Sequence, residues 1–136
     1  MISKRIKDNK RRLVELFNHS TDFVTYEFES ESNIKMMVCY IEGLIDRNIL
    51  DRDILRSLTL NVKNLKEIRK YIMTPKIEEI DTINEVVDEV VYGKVVLFAE
   101  GLKKGFVIEL SKWDKRQVEE PQAESVVRGP KEGFIE

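Results

Sequence analysis

The chain has little with which to do chemistry. Its 136 residues include one histidine, one cysteine and one tryptophan. A single cysteine allows no disulfide within the chain, which fits a reducing compartment. Cys39 stands in the apolar run MMVCYI. No neighbouring cation there favours a thiolate, so a packed core thiol is expected rather than a nucleophile. His19 has no second histidine and no cysteine pair to join it, so the spacings that build a zinc site are missing. It is expected on the surface at a helix end, where a cation suits the helix dipole. No phosphate-cradling glycine loop and no nucleophile elbow appears. No stretch approaches the roughly 20 apolar residues that cross a bilayer. The cation-rich start is followed by no apolar block, so an ordinary signal peptide is excluded. These absences give an enzyme reading no positive support and imply no cofactor and no metal.

Charge, by contrast, is plentiful: 35% of the residues are charged, and the signs nearly cancel to a formal −2. Global charge therefore selects no partner. Lys4, Arg5, Lys7, Lys10, Arg11 and Arg12 crowd the N-terminus. Such a cluster can meet nucleic acid or anionic lipid. No aromatic stacking platform accompanies it, so a solvated helix face is expected and no nucleic-acid partner. Asp22, Asp46, Asp51 and Asp53 are candidates for acid–base pairs, but Asp51 and Asp53 have a competing role as helix caps.

Periodicity supplies the elements. Ile2, Ile6, Leu13, Leu16 and Phe17 share one face of a helix over 3–18, with Asp8 able to meet Arg11 and Arg12. In FVTYEFES (23–30), Val24, Tyr26 and Phe28 alternate with polar residues, the pattern of a strand with one wet face. IKMMVCYIE (34–42) and KVVLFAE (94–100) are almost continuously apolar, as in strands covered on both faces. GFVIELS (105–111) alternates again. Between 43 and 92 the pattern predicts helices. One carries Leu50, Ile54 and Leu58 with Asp51 or Asp53 as cap, and one lies around NLKEIRKYIM and is ended by Pro75. The third has Ile83, Val86, Val87, Val90 and Val91 on one face, a Thr82–Glu85 capping box and Gly93 as its stop, with a strand as the competing reading because valine lowers helix propensity.

Wet strands belong at sheet edges and dry ones in the middle. The expected fold is therefore α/β, a four-stranded mixed sheet in the order 1-2-3-4. Hairpins join strands 1 to 2 and 3 to 4, and 43–92 forms the crossover that makes strands 2 and 3 parallel. Helices cover both faces. Residues 1–112 form this α/β lobe.

After Trp113 the composition changes to DKRQVEEPQAESVVRGPKEGFIE, with no helical stripe. Gly129 before Pro130 sets a bend, Gly133 adds a second special backbone position, and Arg128 can fork onto one of several nearby carboxylates. Residues 113–136 are expected to form an extended connecting segment toward an absent second lobe.

The stretch EEPQAESVVRGPKEGFIE resembles the signature of the spore germination protein family, the A subunits of GerA-type nutrient germinant receptors. Upstream, Asp22-Phe23-Val24 resembles the family's first strand, and Tyr40 to Asp46 resembles its Y-I-x-G-L-V-D stretch. Gly93 and LFAEG resemble its strand and turn, with Glu100-Gly101 where Asp-Gly is usual. Trp113, Arg116, Glu120-Pro121 and Glu124 resemble the run into Arg128-Gly129-Pro130 and Glu132-Gly133-Phe134. The resemblance covers nearly the whole chain.

It implies a non-catalytic domain of a subunit integral to the spore inner membrane. The domain lies on the cytosolic side and takes part in signal transmission and receptor assembly during germination. The implied partners are a second lobe of the same subunit, a transporter-like B subunit, a lipoprotein C subunit and further copies of the A subunit. Membrane contact would come only through a transmembrane part downstream. The Arg-Gly-Pro motif would lie between two lobes, making this chain the first lobe of a longer protein. Trp113, Arg116, Glu120, Pro121, Arg128, Gly129, Pro130, Glu132, Gly133 and Phe134 are the interaction and hinge residues the family motif implies. The alternative is a small-molecule-binding lobe that faces the second across a cleft.

Overall fold

The computed structural model describes residues 1–72 and 78–110. Helix α1 (Ile6–Leu16) leads through a turn into the hairpin β1 (Phe23–Glu29) and β2 (Lys35–Ile41). Asp46 then caps a helix by accepting from the Asn48 and Ile49 amides at 2.9 and 3.3 Å. That helix comprises α2 (Arg47–Ile49), a π-helical turn (Leu50–Leu55) and α3 (Arg56–Asn61), with right-handed helical backbone through both junctions. A 3-10 turn (Leu65–Glu67) and α4 (Ile68–Tyr71) follow, then β3 (Glu78–Ile80), α5 (Ile83–Val91), β4 (Val95–Ala99) and β5 (Gly105–Ile108).

The sheet overturns the expected four-stranded mixed arrangement. It has five strands in the order β1-β2-β4-β5-β3, and every neighbouring pair is antiparallel. The strands at 34–42 and 94–100, expected to be parallel, pair antiparallel, with Met36 opposite Ala99 and Cys39 opposite Val96. The cause lies in 43–92, which is two connections rather than one crossover. β3, three residues long, divides it. So short a strand shows no alternation that a pattern can detect. β2 and β3 run in opposite directions, so their connection leaves and returns at one end of the sheet. β3 and β4 run in the same direction, with β5 between them and α5 making the crossing.

The central strands separate two cores. Met36, Val38, Tyr40, Val95, Leu97, Phe106 and Ile108 face the layer that carries Leu50, Ile54, Leu58 and Ile68. Met37, Cys39, Val96, Phe98 and Val107 face α1 and α5 through Ile6, Leu13, Ile83, Val86 and Val90. The valine-rich 83–91 forms a helix because its apolar positions recur at helical spacing and Thr82 caps it, its hydroxyl oxygen accepting from the Glu85 amide at 3.2 Å.

Two other sequence expectations need correction. Asp46, not Asp51 or Asp53, caps the 47–61 helix. Helix α1 starts three residues later than expected, and its Leu16 is exposed while Ile6 and Leu13 are buried. No side chain of its own caps α1. Instead the Ile6 amide donates to Glu100 Oε1 at 2.9 Å, and the Gly101 amide donates to the Lys4 carbonyl at 2.8 Å. The turn after β4 thus holds the start of α1. Asn9, fully buried beside it, is satisfied through both amide atoms by the Ser3 backbone.

Cys39 is fully buried, and burial pushes its thiol well above the usual range. The folded chain therefore binds that proton more tightly than the unfolded chain. The resulting stability is complete below the ordinary thiol range and is lost as pH rises above it. A thiol-specific reagent should label Cys39 no faster than the chain unfolds globally, and labelling within the mixing time in native buffer would contradict this burial. Replacing Glu100 by Ala should cost about 1 kcal/mol, the usual size of a lost helix cap, read as a lower urea-unfolding midpoint. Glu100→Gln, which keeps an acceptor oxygen, should lose less.

Candidate functional site

One end of the sheet gathers the sequence stretches singled out above. β1 begins there, β2 and β5 end there, and β4 begins there: Phe23 pairs with Ile41, and Val95 pairs with Ile108. The C-terminus of α5 and the turn after β2 meet at this end. A Cβ placed on Gly93 would lie 3.7 Å from both Leu44 Cβ and the Leu44 carbonyl oxygen. Tyr40 to Asp46 and Gly93, remote in sequence, are therefore neighbours.

The backbone explains why glycine occupies both turns. Gly43 has φ +93° and Gly93 has φ +90°, a region that other L-residues enter only at a cost. Both turns end an element abruptly and expose the side chains beside them. Leu44 is 53% exposed and Tyr92 is 82% exposed, with Val91 also open to water. Beneath them the Lys94 ammonium donates to Glu89 at 2.9 Å, in a pair more sheltered than the surface ion pairs around it. That hydrogen bond raises the Lys94 pKa, against a smaller opposing effect of burial. Phe17 and Phe23 stack at 4.2 Å where α1 enters β1. Asn18 and His19 take positive φ in the turn between them, and His19 is exposed, as expected.

The last described residue, Leu110, is buried in the core against the 47–71 layer. The described chain therefore stops at this same end. Trp113, Arg116, Glu120, Pro121, Arg128, Gly129, Pro130, Glu132, Gly133 and Phe134 all lie outside the described residues. The sequence reading missed Leu44 and Tyr92 as a surface. The available signal was a large apolar side chain set beside a glycine that ends an element.

Elsewhere the polar groups are mostly engaged in structure. A groove of about 730 Å³ runs between α1 and the β1–β2 hairpin. Three of its carboxylates are occupied: Asp8 by Arg11, Glu27 by Lys10 and Glu100 by the Ile6 amide. The candidate acid–base residues do not assemble. Asp46 is a cap, Asp53 is held by Arg52 at 3.0 Å, and Asp51 lies in the π-helical turn. Among the described residues no group of His, Cys, Asp and Glu is placed to hold a metal ion. No described helix is long and apolar enough to cross a membrane.

The described residues thus form a sheet covered by helices on both faces, with Leu44, Val91 and Tyr92 exposed at one end. Residues 11–136 match the model of the Bacillus/Clostridium GerA spore germination protein family. The chain belongs to that family, which supports a role in spore germination. It is 30% identical over 140 residues to the "Uncharacterized membrane protein YfkQ" of Bacillus subtilis, covering 99% of this chain and 27% of that protein. It is 25% identical over 141 residues to "Spore germination protein B1" of the same organism, covering 99% and 29%. The chain thus spans about a quarter of the length of the curated relatives it matches. The N-terminal domain of the A subunit of the Bacillus megaterium spore germinant receptor GerK3 shares the fold. The TM-score is 0.58 at 14% identity, over 78% of this chain and 92% of that one.

Gly93→Ala should destabilise the chain by roughly 1–2 kcal/mol in chemical denaturation, because alanine is strained at positive φ. The added methyl would be in ordinary contact with Leu44, so the loss comes from the backbone. Gly93→Asn, which tolerates this region better, should recover part of it.

Proposed function

We propose that this chain is the first lobe of a spore nutrient germinant receptor A subunit, a non-catalytic module for signal transmission and receptor assembly. In this reading residues 1–112 are the lobe and 113–136 lead to a second lobe. The full-length subunit sits in the spore inner membrane with this domain on the cytosolic side. It works with a transporter-like B subunit, a lipoprotein C subunit and further copies of itself.

The observation that carries the reading is the coincidence of exit and surface. The described chain ends at the sheet end where Leu44, Val91 and Tyr92 are exposed. A following lobe held there covers those side chains. Rigid lobes joined by a bent segment suit hinge motion. Arg128 clasps the bend, Gly129 and Gly133 permit it, Trp113 moors its start, and Arg116, Glu120, Pro121, Pro130, Glu132 and Phe134 complete the contact.

Two experiments on spores that carry the full-length protein test this. The pair Leu44→Ser and Tyr92→Ser removes exposed apolar area, so the 136-residue chain should keep its unfolding midpoint within about 0.5 kcal/mol. Germination should slow severalfold. Arg128→Ala should likewise impair germination without lowering the stability of the lobe. Wild-type germination rates from either folded variant would overturn the corresponding role.

A further inference from the structure

At the β1 edge of the sheet, a cavity of about 450 Å³ opens between β1 and the helix at 47–61. Among the described residues β1 pairs only with β2, so this flank is the edge of the sheet. Tyr26 stands on the rim from β1, and Tyr40 and Leu50 form the floor. Arg47, Asp51 and Arg56 come from the helix. The π-helical turn supplies Leu50 and Asp51.

Tyr40 carries the argument. The residue is 2% exposed, yet no described residue exchanges a hydrogen bond with its hydroxyl. The phenol end lies toward the cavity rather than in the deep core, so its hydroxyl is left to donate to what enters there. Burial also raises the phenol pKa, with Arg47 pulling it back and Glu42 and Asp51 pushing it further up. Tyr40 is therefore a proton donor throughout the neutral range. Arg47 lies over its ring at 5.9 Å from the centroid, and the Glu42 carboxylate is 3.9 Å from Arg47, at the long limit of an ion pair. Arg56 has no ion pair among the described residues. Donors outnumber acceptors around the cavity, and one wall is apolar.

We propose that this cavity binds a small carboxylate with an apolar body. Tyr40 and the Arg47 and Arg56 guanidiniums take the carboxylate, and Leu50 and the half-exposed Tyr26 ring take the body. Planar guanidinium forks suit a carboxylate, and buried phenol donors add orientation. The cavity lining includes none of Leu44, Val91 and Tyr92, so its ligand binding is tested separately from the docking role.

Amide NMR spectra of the 136-residue chain, titrated separately with phenylacetate, hexanoate and inorganic phosphate, test this. Both carboxylates should give saturable shifts centred on Tyr26, Tyr40, Arg47, Leu50 and Arg56. Phosphate, which has no apolar body, should bind at least about tenfold more weakly. Tyr40→Phe should weaken phenylacetate about tenfold, the value of one charge-assisted hydrogen bond, while leaving the unfolding midpoint unchanged or raised. Arg56→Gln should do the same through lost charge. Absence of saturable shifts, shifts centred elsewhere, equal binding of phosphate, or unaltered binding by Tyr40→Phe would each overturn the proposal. A lower midpoint for Tyr40→Phe would assign the hydroxyl a structural role instead.

Discussion

Met36, Met37, Val38 and Cys39 pair with Ala99, Phe98, Leu97 and Val96, and water reaches none of these side chains to any extent. Because successive residues of a strand point to opposite faces, both strands need cover above and below. That requirement dictates the layers. One cover is α1 with α5, and the other is the helical run from 47 to 71. A slip of one residue would exchange the two sets of side chains between two differently shaped cores. The short connection from β4 to β5 and the α5 crossing are therefore held to one register by packing on both sides at once.

How far this was legible depends on the length of each pattern. The long apolar runs at 34–42 and 94–100 are dry strands, and the helix at 83–91 announces both its face and its cap. Direction was not legible. An antiparallel neighbour and a parallel one present the same apolar string, and only the path of the connection tells them apart. That path turned on Glu78–Ile80, too brief to leave a period and flanked by residues 73–77, which lie outside the described part. The true cap Asp46 was hidden because Asp51 and Asp53 offer the same chemistry in better-looking places.

The terminal motif and the candidate surface illustrate a different limit. Arg128-Gly129-Pro130 carries family information in consecutive residues, so it reads directly from the chain. Leu44 and Tyr92 do not. They become a surface only when two left-handed glycine turns bring residues 43–44 and 92–93 side by side. Tyr40 is similar, since its place in an apolar run shows that it is buried but not that its hydroxyl goes unanswered.

The π-helical turn at Leu50–Leu55 has one further meaning. Its backbone bonds reach five residues back, as from the Arg56 amide to the Asp51 carbonyl, instead of the usual four. Such a widening is how a helix absorbs one surplus amino acid without rotating everything beyond it by about 100°. Excising a single residue here would close the turn to regular α-helix while leaving Arg56 and everything beyond it at its present angle. The widening is thus a local device: it sets where Leu50 and Asp51 stand beside the hollow, and a relative one residue shorter at this turn would differ there while keeping the rest of the helix in place.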